Sequence, residues 1–237
     1  MKHVNKIIHR FWGGPEPIDP VYEEFGEKWK ALNPDWDVIL WNEETVLAEG
    51  VINKKVWDDL AIPEKGHRID EIALATQRAD VIGYELVFRF GGLYVNTDID
   101  PVRPMADLLL QHPEMYDFPA AGYEDGQWLV NSVLWAPYSG NIFWENVIER
   151  LGTRYYEFSK NDFMNAKTGP QLLTEVWRWN PDLLYVFGVN VFNPIHWINV
   201  EPGHDAVYDF AGLPKETIGV HHWGHRKNQR AQTPSVP

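Results

Sequence analysis

Apolar positions fall into short runs near the start of the chain and into a long helical stripe at its middle. Lys6-Ile7-Ile8-His9-Arg10-Phe11-Trp12 reads as a first buried strand, ended by Gly13-Gly14-Pro15. Val21 to Leu32 carries helical spacing and closes at Asn33-Pro34, and Trp36 to Trp41 reads as a second strand. Two short helices are expected at Glu43 to Glu49 and Lys54 to Leu60. From Ile69 to Phe90 the residues Ile72, Ala75, Ala79, Ile82, Leu86 and Phe90 recur at three- and four-residue steps, which makes one apolar helix face. Gly91-Gly92 supplies the stop. Leu93-Tyr94-Val95 is then a short apolar strand whose end delivers Asn96, Asp98 and Asp100, and Pro101 and Pro104 keep that segment from turning helical at once.

Further on, the pattern predicts a helix at Met105 to Leu110, strands at Tyr116 to Ala121 and Leu129 to Trp135, and a helix at Asn141 to Leu151. Thr168-Gly169-Pro170 opens another helix through Trp177, with proline at a first-turn position. Leu184 to Phe187 and Thr217 to Trp223 read as late strands, and the tail 229–237 as frayed. Strands alternating with helices predict an α/β sheet. With no repeat and no long linker, residues 1–228 are expected to form a single domain.

Charge and composition narrow the chemistry. The 237 residues carry 34 acidic and 21 basic side chains, a formal charge of −13, and no basic stripe of the kind nucleic-acid binding requires. There is no cysteine, so a metal would have to be held by oxygen and imidazole. The N-terminus lacks the apolar core of a secretory signal, and no apolar run approaches a membrane span. The cytoplasm is the expected location.

Asn96, Asp98 and Asp100 sit at alternate positions. In extended structure such residues point to one face, and at the C-terminal edge of an α/β sheet they would meet a ligand. Two carboxylates and an amide form a hard-oxygen set suited to Mg²⁺ or Mn²⁺, although acids beside prolines also serve as plain turns. His221 and His222 precede Trp223-Gly224, and one of them is a candidate further ligand, since adjacent strand residues face opposite ways. Phe11 and Trp12, at the end of the first strand, are either core aromatics or a surface for a base. Glu124, Asp125, Gln127 and Asn131 lie on a stretch that could line a reaction gap.

The run from Ala75 through Asp98 resembles the DXD sugar-binding region of family-32 glycosyltransferases, a family that includes capsular-polysaccharide and mannosyl transferases and has the large clostridial glucosylating toxins as distant relatives. The opening Lys6-Ile7-Ile8-His9 with Trp12, then Trp29, Asn33-Pro34 and Trp41, is similar to that family's first segment. Thr168-Gly169-Pro170 and His221-His222-Trp223 resemble later landmarks. The resemblance implies a GT-A fold, a Rossmann-like mixed sheet flanked by helices, with 1–104 mainly on the nucleotide-sugar side and 105–228 mainly on the acceptor side. It implies transfer from a UDP- or GDP-sugar to a glycan, lipid-linked or protein acceptor, with Mn²⁺ or Mg²⁺ and with retention of configuration. By the same resemblance Asp98 holds the metal and Asp80 binds donor hydroxyls at the catalytic centre. Asp100, from the literal acidic spacing, is expected to share the metal. The likeness of His221-x-x-Gly224-x-x-Lys227 to a metal-and-phosphate motif in other retaining GT-A enzymes implies that His221 completes the metal site. Trp12, Phe11 and Asn96 are expected to contact the donor, and by the likeness to the motif of other retaining GT-A enzymes Lys227 steadies the leaving phosphate.

Two positions depart from the family pattern. The family's first motif aspartate falls on Asn96 and its second on Asp98, so the literal Asp98-Ile99-Asp100 is shifted by two. Gly83 stands where the family has an arginine that contacts the sugar, and Arg78 and Arg89 lie elsewhere on the helix. These departures motivate a rival reading as a non-catalytic nucleotide-sugar binder on the same scaffold. A metal-dependent sugar hydrolase is a further alternative.

Overall fold

The structure, a computed structural model, describes residues 3–60, 68–124, 127–159, 162, 164–201 and 204–224. In chain order the regular elements are β1 (Ile7–Phe11), α1 (Pro20–Leu32), β2 (Asp37–Trp41), α2 (Glu43–Glu49), α3 (Lys54–Asp59), α4 (Arg68–Phe90), β3 (Gly92–Val95), β4 (Ile99–Pro101), α5 (Met105–Gln111), β5 (Ala120–Tyr123), β6 (Leu129–Ala136), α6 (Ile142–Arg154), α7 (Met164–Lys167), α8 (Pro170–Trp179), β7 (Tyr185–Phe187) and β8 (Gly219–His221).

Six strands form one mixed sheet in the order β2-β1-β3-β6-β5-β7. Parallel pairs join β1 to β2 and β3, and β5 to β7, while β6 runs antiparallel to both β3 and β5. Successive strand residues alternate between two cores, as the period of two requires. Phe11, Tyr94, Ala121 and Leu134 pack among side chains of α4, α6 and α8. Ile8, Leu93, Val95, Val133 and Trp135 pack on the other face with Trp29 of α1 and Met105 and Leu108 of α5. Helices therefore cover both faces, as expected for an α/β protein. Among the described residues no helix is long and apolar enough to cross a membrane.

The middle of α4 is buried on all sides, from Asp80 to Val87. The helix ends where Gly91 and Gly92 take φ of 65° and 83°, a region that costs a residue with a side chain strain. A Cβ on Gly92 would also run into the carbonyl of Ile7, so glycine lets β3 approach β1. His9 fastens the same junction. Trp41 Nε1 donates to His9 Nδ1 at 3.1 Å, which leaves the proton on Nε2 to donate to the Gly91 carbonyl at 2.9 Å. One imidazole thus links β1, β2 and the end of α4.

Three expectations need correction. The strand expected at Tyr116 to Ala121 begins only at Ala120, because Pro113–Tyr116 forms a 3₁₀ turn. The Asp117 and Phe118 amides bond back to Glu114, and Pro119 has no amide to offer a ladder. The last strand stops at His221 rather than Trp223, whose φ of 55° turns the chain out of the ladder. Most consequential, Asn96 to Asp100 is not one extended run. Ile99 N–H bonds back to the Asn96 carbonyl at 3.2 Å, so residues 96–99 form a turn. Ile99–Pro101 then pairs antiparallel with Gly219–His221 as a separate ribbon that the sequence pattern does not show. The expected tail at 229–237 lies outside the described residues.

Burial lowers the pKa of His9 from 6.5 to about 4, against a smaller opposing effect of its bond to Gly91. Between these values the unfolded chain binds a proton that the folded chain refuses, so the contribution is complete above pH 6.5 and is lost as pH falls toward 4. The expected loss is about 3 kcal/mol at one unit per 1.36 kcal/mol. Urea unfolding at pH 7 and pH 4.5 checks this: His9→Gln should be less stable than wild type at pH 7, with the gap closing at pH 4.5.

Candidate active site

The turn after β3 places Asp98 at the C-terminal edge of the central strands. Its backbone is fixed on both sides: the Asn96 amide donates to the Ser132 carbonyl at 2.9 Å, and the His222 amide donates to the Asp98 carbonyl at 2.9 Å. The ribbon register sets Ile99 opposite His221. That pairing brings His221 Nε2 to 3.3 Å from Asp98 Oδ2, and the Gly224 amide donates to the same oxygen at 2.7 Å.

The His221 ring is fixed in orientation. Its Nδ1 lies 3.2 Å from Asn193 Oδ1, while Asn193 Nδ2 donates to the Tyr123 carbonyl at 3.3 Å. The second contact settles which end of the amide is oxygen, so Nδ1 carries a hydrogen and donates. Trp223 stacks on the ring at 4.0 Å. Nε2 is left facing Asp98 Oδ2, an arrangement favourable only with a proton on Nε2 or a cation between the two atoms. One carboxylate oxygen and one imidazole nitrogen therefore converge, with the histidine oriented by an acceptor on its far nitrogen as metal-bound histidines are.

His222 points elsewhere. Its ring lies 4.9 Å from Phe25 and 5.9 Å from Tyr208, and among the described residues neither ring nitrogen has a hydrogen-bond partner. Burial lowers its pKa, and Asp98, Asp100 and Asp205 oppose that shift. Asp100 faces partners of its own: Lys28 Nζ donates to its two oxygens at 2.9 and 3.0 Å, and the Tyr208 hydroxyl donates at 2.6 Å. The turn at residues 97 and 98 thus gives Asp98 and Asp100 different surroundings rather than one common face. Among the described residues no group of three or more His, Asp or Glu side chains is gathered as ligands. The Asp98–His221 pair still fits a Mg²⁺- or Mn²⁺-type cation, because such ions take few protein ligands and fill their shell with substrate phosphates and water.

Asp80 lies on the buried middle of α4 and is 8% exposed. Asn131 Nδ2 donates to its Oδ1 at 2.5 Å, and Thr168 Oγ1 donates to its Oδ2 at 2.6 Å. Burial pushes its pKa up from 3.8 to about 7, and the two hydrogen bonds pull the other way. Tyr94 lies close enough to both Asp80 and Asp98 that each raises its hydroxyl pKa, after burial itself. Sequence reasoning singled out Asn131 and Thr168 without linking them to Asp80. It missed Lys28, Asn193 and Tyr208, which no local motif marks.

The aromatic pair at the end of β1 divides. Phe11 is a core residue, packed edge-on against Trp57 at 6.3 Å. Trp12 is half-buried, and its Nε1 donates to the Glu16 carbonyl at 2.8 Å. Asn96 is half-buried on the turn. Glu124, Gln127 and Asn131 are described, whereas Asp125 and Lys227 lie outside the described residues. At Gly83 a Cβ would come within 2.9 Å of the Tyr94 ring, so no arginine fits there without moving Tyr94. Arg78 is ion-paired with Glu43, and Arg89 donates to the carbonyls of Gly50 and Glu49. Neither replaces the missing side chain.

Residues 22–115 match the family described as glycosyltransferase sugar-binding region containing DXD motif. Inositol phosphoceramide mannosyltransferase 3 of Schizosaccharomyces pombe (strain 972 / ATCC 24843) is 27% identical over 117 residues, which cover 46% of this chain and 28% of that protein. The chain thus matches under a third of that relative's length. Among solved structures, PaToxG glycosyltransferase aligns with a TM-score of 0.55 at 14% identity, covering 75% of this chain and 70% of that one. A glycosyltransferase involved in glycosylation of the major capsid of PBCV-1 aligns with a TM-score of 0.50 at 12% identity, covering 95% and 98%. The resemblance read from the sequence holds: residues 22–115 match the DXD-containing sugar-binding region of glycosyltransferases, and the fold is GT-A.

Proposed function

We propose that the chain is a metal-dependent glycosyltransferase that moves a sugar from a nucleoside-diphosphate donor to a hydroxyl acceptor. The observation that carries this reading is the convergence, at 3.3 Å, of Asp98 Oδ2 inside the matched DXD region with His221 Nε2 from outside it. Asp98 and His221 are the residues that would hold Mn²⁺ or Mg²⁺. Such a cation neutralises the charge that develops on a departing diphosphate. A cation reaching Asp100 would compete with Lys28 for the same oxygens.

The chain's own groups do the rest. Trp12 offers a half-buried ring face to a uracil or guanine base, and Asn96 offers an amide to the donor. Asp80 binds donor hydroxyls: each of its oxygens keeps a further lone pair beyond the bonds from Asn131 and Thr168. Its raised pKa lets it hold a proton, and so donate as well as accept, near neutral pH. Lys227 is assigned to the leaving phosphate by the likeness of His221-x-x-Gly224-x-x-Lys227 to a motif in other retaining GT-A enzymes, and retention of configuration is the outcome the family resemblance implies. The acceptor is a glycan, lipid-linked or protein hydroxyl; the name of the mannosyltransferase relative gives a lipid-linked acceptor the first place in a screen.

Turnover of a panel of UDP- and GDP-sugars with and without Mn²⁺ tests the reading. Wild type should show metal-dependent release of nucleotide, and Asp98→Ala and His221→Ala, as ligands themselves, should each lose at least the roughly 100-fold that marks the upper range for removing a group that only orients a metal ligand. Full activity in Asp98→Ala would overturn the site. Saturable donor binding without turnover on any acceptor would favour the non-catalytic binder.

Asp80 gives a second expectation. Its folded-state pKa lies above the unfolded one, so protonated Asp80 favours folding below pH 3.8, and that contribution is lost as pH rises through 7. Replacing the carboxyl by a neutral amide removes that loss. Relative to wild type, Asp80→Asn should gain stability between pH 4 and pH 7, by up to about 4 kcal/mol. Urea unfolding at the two pH values measures it, and an unchanged difference between the proteins would refute it.

A further inference from the structure

Behind the Asp98 turn lies a cation that neither the family match nor the site motif includes. Arg10, on β1, is 2% exposed. Its Nη2 donates to the carbonyl of Tyr22 on α1 at 2.5 Å and to the carbonyl of Thr97 at 2.9 Å. Thr97 is the residue immediately before Asp98, so this bond grips the turn at the peptide that orients the metal-ligand candidate. Gly26, one helical turn beyond Tyr22, makes room for the guanidinium: a Cβ there would run into Arg10 Nη1. Among the described residues Nε of Arg10 has no hydrogen-bond partner, a cost normally avoided for a buried donor.

The charge persists. Burial lowers the Arg10 pKa to about 10, and Asp98, ahead of Glu27, opposes the shift. The guanidinium therefore stays protonated at neutral pH, inside a cluster of acids that act together on neighbouring rings: Asp98, Asp205 and Asp19 on Tyr22, and Asp98, Asp100 and Asp205 on His222.

We propose that Arg10 is a positioning residue for the metal site: it clamps the Thr97 carbonyl to α1 and thereby holds Asp98 in register with His221. The proposal rests on the metal-site reading given above for its consequence, but not for the clamp itself. Two effects of removing Arg10 have opposite signs. Loss of a nearby positive charge tightens cation binding, whereas loss of the clamp lets Asp98 drift from His221 and weakens it. The clamp predicts that the second effect wins.

The test uses the full chain without donor. Mn²⁺ uptake is followed by loss of the free-ion electron paramagnetic resonance signal, and backbone hydrogen exchange is followed at the Ile99 amide, which closes the turn onto Asn96. In Arg10→Met, Mn²⁺ binding should weaken by about tenfold or more, the lower range for groups that orient a metal ligand. Ile99 exchange should speed up while amides in α4 and β6 keep their wild-type rates. Gly26→Ala displaces the guanidinium but keeps its charge, and should change both readouts in the same direction. In the Arg10→Met background Gly26→Ala should have no further effect, because the group it displaces is gone. Arg10→Lys keeps the charge and enough donors for both carbonyls but has a shorter side chain and no planar guanidinium, and should fall between wild type and Arg10→Met.

Unchanged Ile99 exchange in Arg10→Met, or Mn²⁺ binding as tight as wild type or tighter, overturns the proposal. Global loss of protection in Arg10→Met moves the decision to Gly26→Ala, read by the same two criteria. If wild type binds no Mn²⁺, or Asp98→Asn binds it as well as wild type, the metal reading fails, and Ile99 exchange alone then decides whether Arg10 clamps the turn.

Discussion

Two three-residue strands, Ile99–Pro101 and Gly219–His221, pair antiparallel and close the C-terminal part of the chain onto the turn that follows β3. The candidate site depends on this ribbon. Its register sets Ile99 opposite His221, which carries an imidazole to Asp98 and brings the Gly224 amide, 126 positions away, onto the same carboxylate oxygen. A slip of one residue would turn the facing side chains over, because strand side chains alternate. His222 would then take the place of His221, without the Asn193 contact that orients His221 now.

The ribbon works because what lies beneath it is stiff. The sheet is gripped where β1, β2 and α4 meet by His9, Trp41 and the Gly91 carbonyl. The buried middle of α4 supplies Asp80 from one side, and the turn supplies Asp98 from the other, with Tyr94 under the electrostatic influence of both. Polar groups in this region are held mainly by main-chain partners or by residues far away in sequence. Such preorganisation lets a charged site operate without rearranging its own surroundings. Arg10 and Lys28 set positive charge among the acids at two points, against the Thr97 carbonyl and against Asp100.

The departures from the family pattern acquire physical content in three dimensions. Gly83 faces the ring of Tyr94, so the space that an arginine Cβ would need is already filled. Asn96 opens a turn and Asp98 is one of its two central residues, so they are not adjacent rungs of a strand, and Asp100 has passed into the ribbon, where Lys28 and Tyr208 bind it. The literal acidic repeat therefore spans two local environments. Asp98 is the member that meets the histidine.

Much of the fold was legible in the sequence because it is written in local patterns. The stripe from Ile72 to Phe90, the Gly91-Gly92 stop, the proline at the start of α8 and the buried runs of β1 and β3 each follow from one helical or strand period. The DXD region was legible for a different reason: its residues are contiguous, so a resemblance survives in one stretch. The ribbon, the Asn193 bond to His221, the Lys28 and Tyr208 bonds to Asp100 and the Arg10 grip on Thr97 were not legible. Each joins residues separated by tens to more than a hundred positions. No periodicity records such a contact. By itself the sequence determined that acids would stand at the edge of an α/β sheet; only tertiary structure decided that Asp98 faces His221 while Asp100 turns to Lys28, because a turn at residues 97 and 98 breaks the alternation that the linear spacing implies.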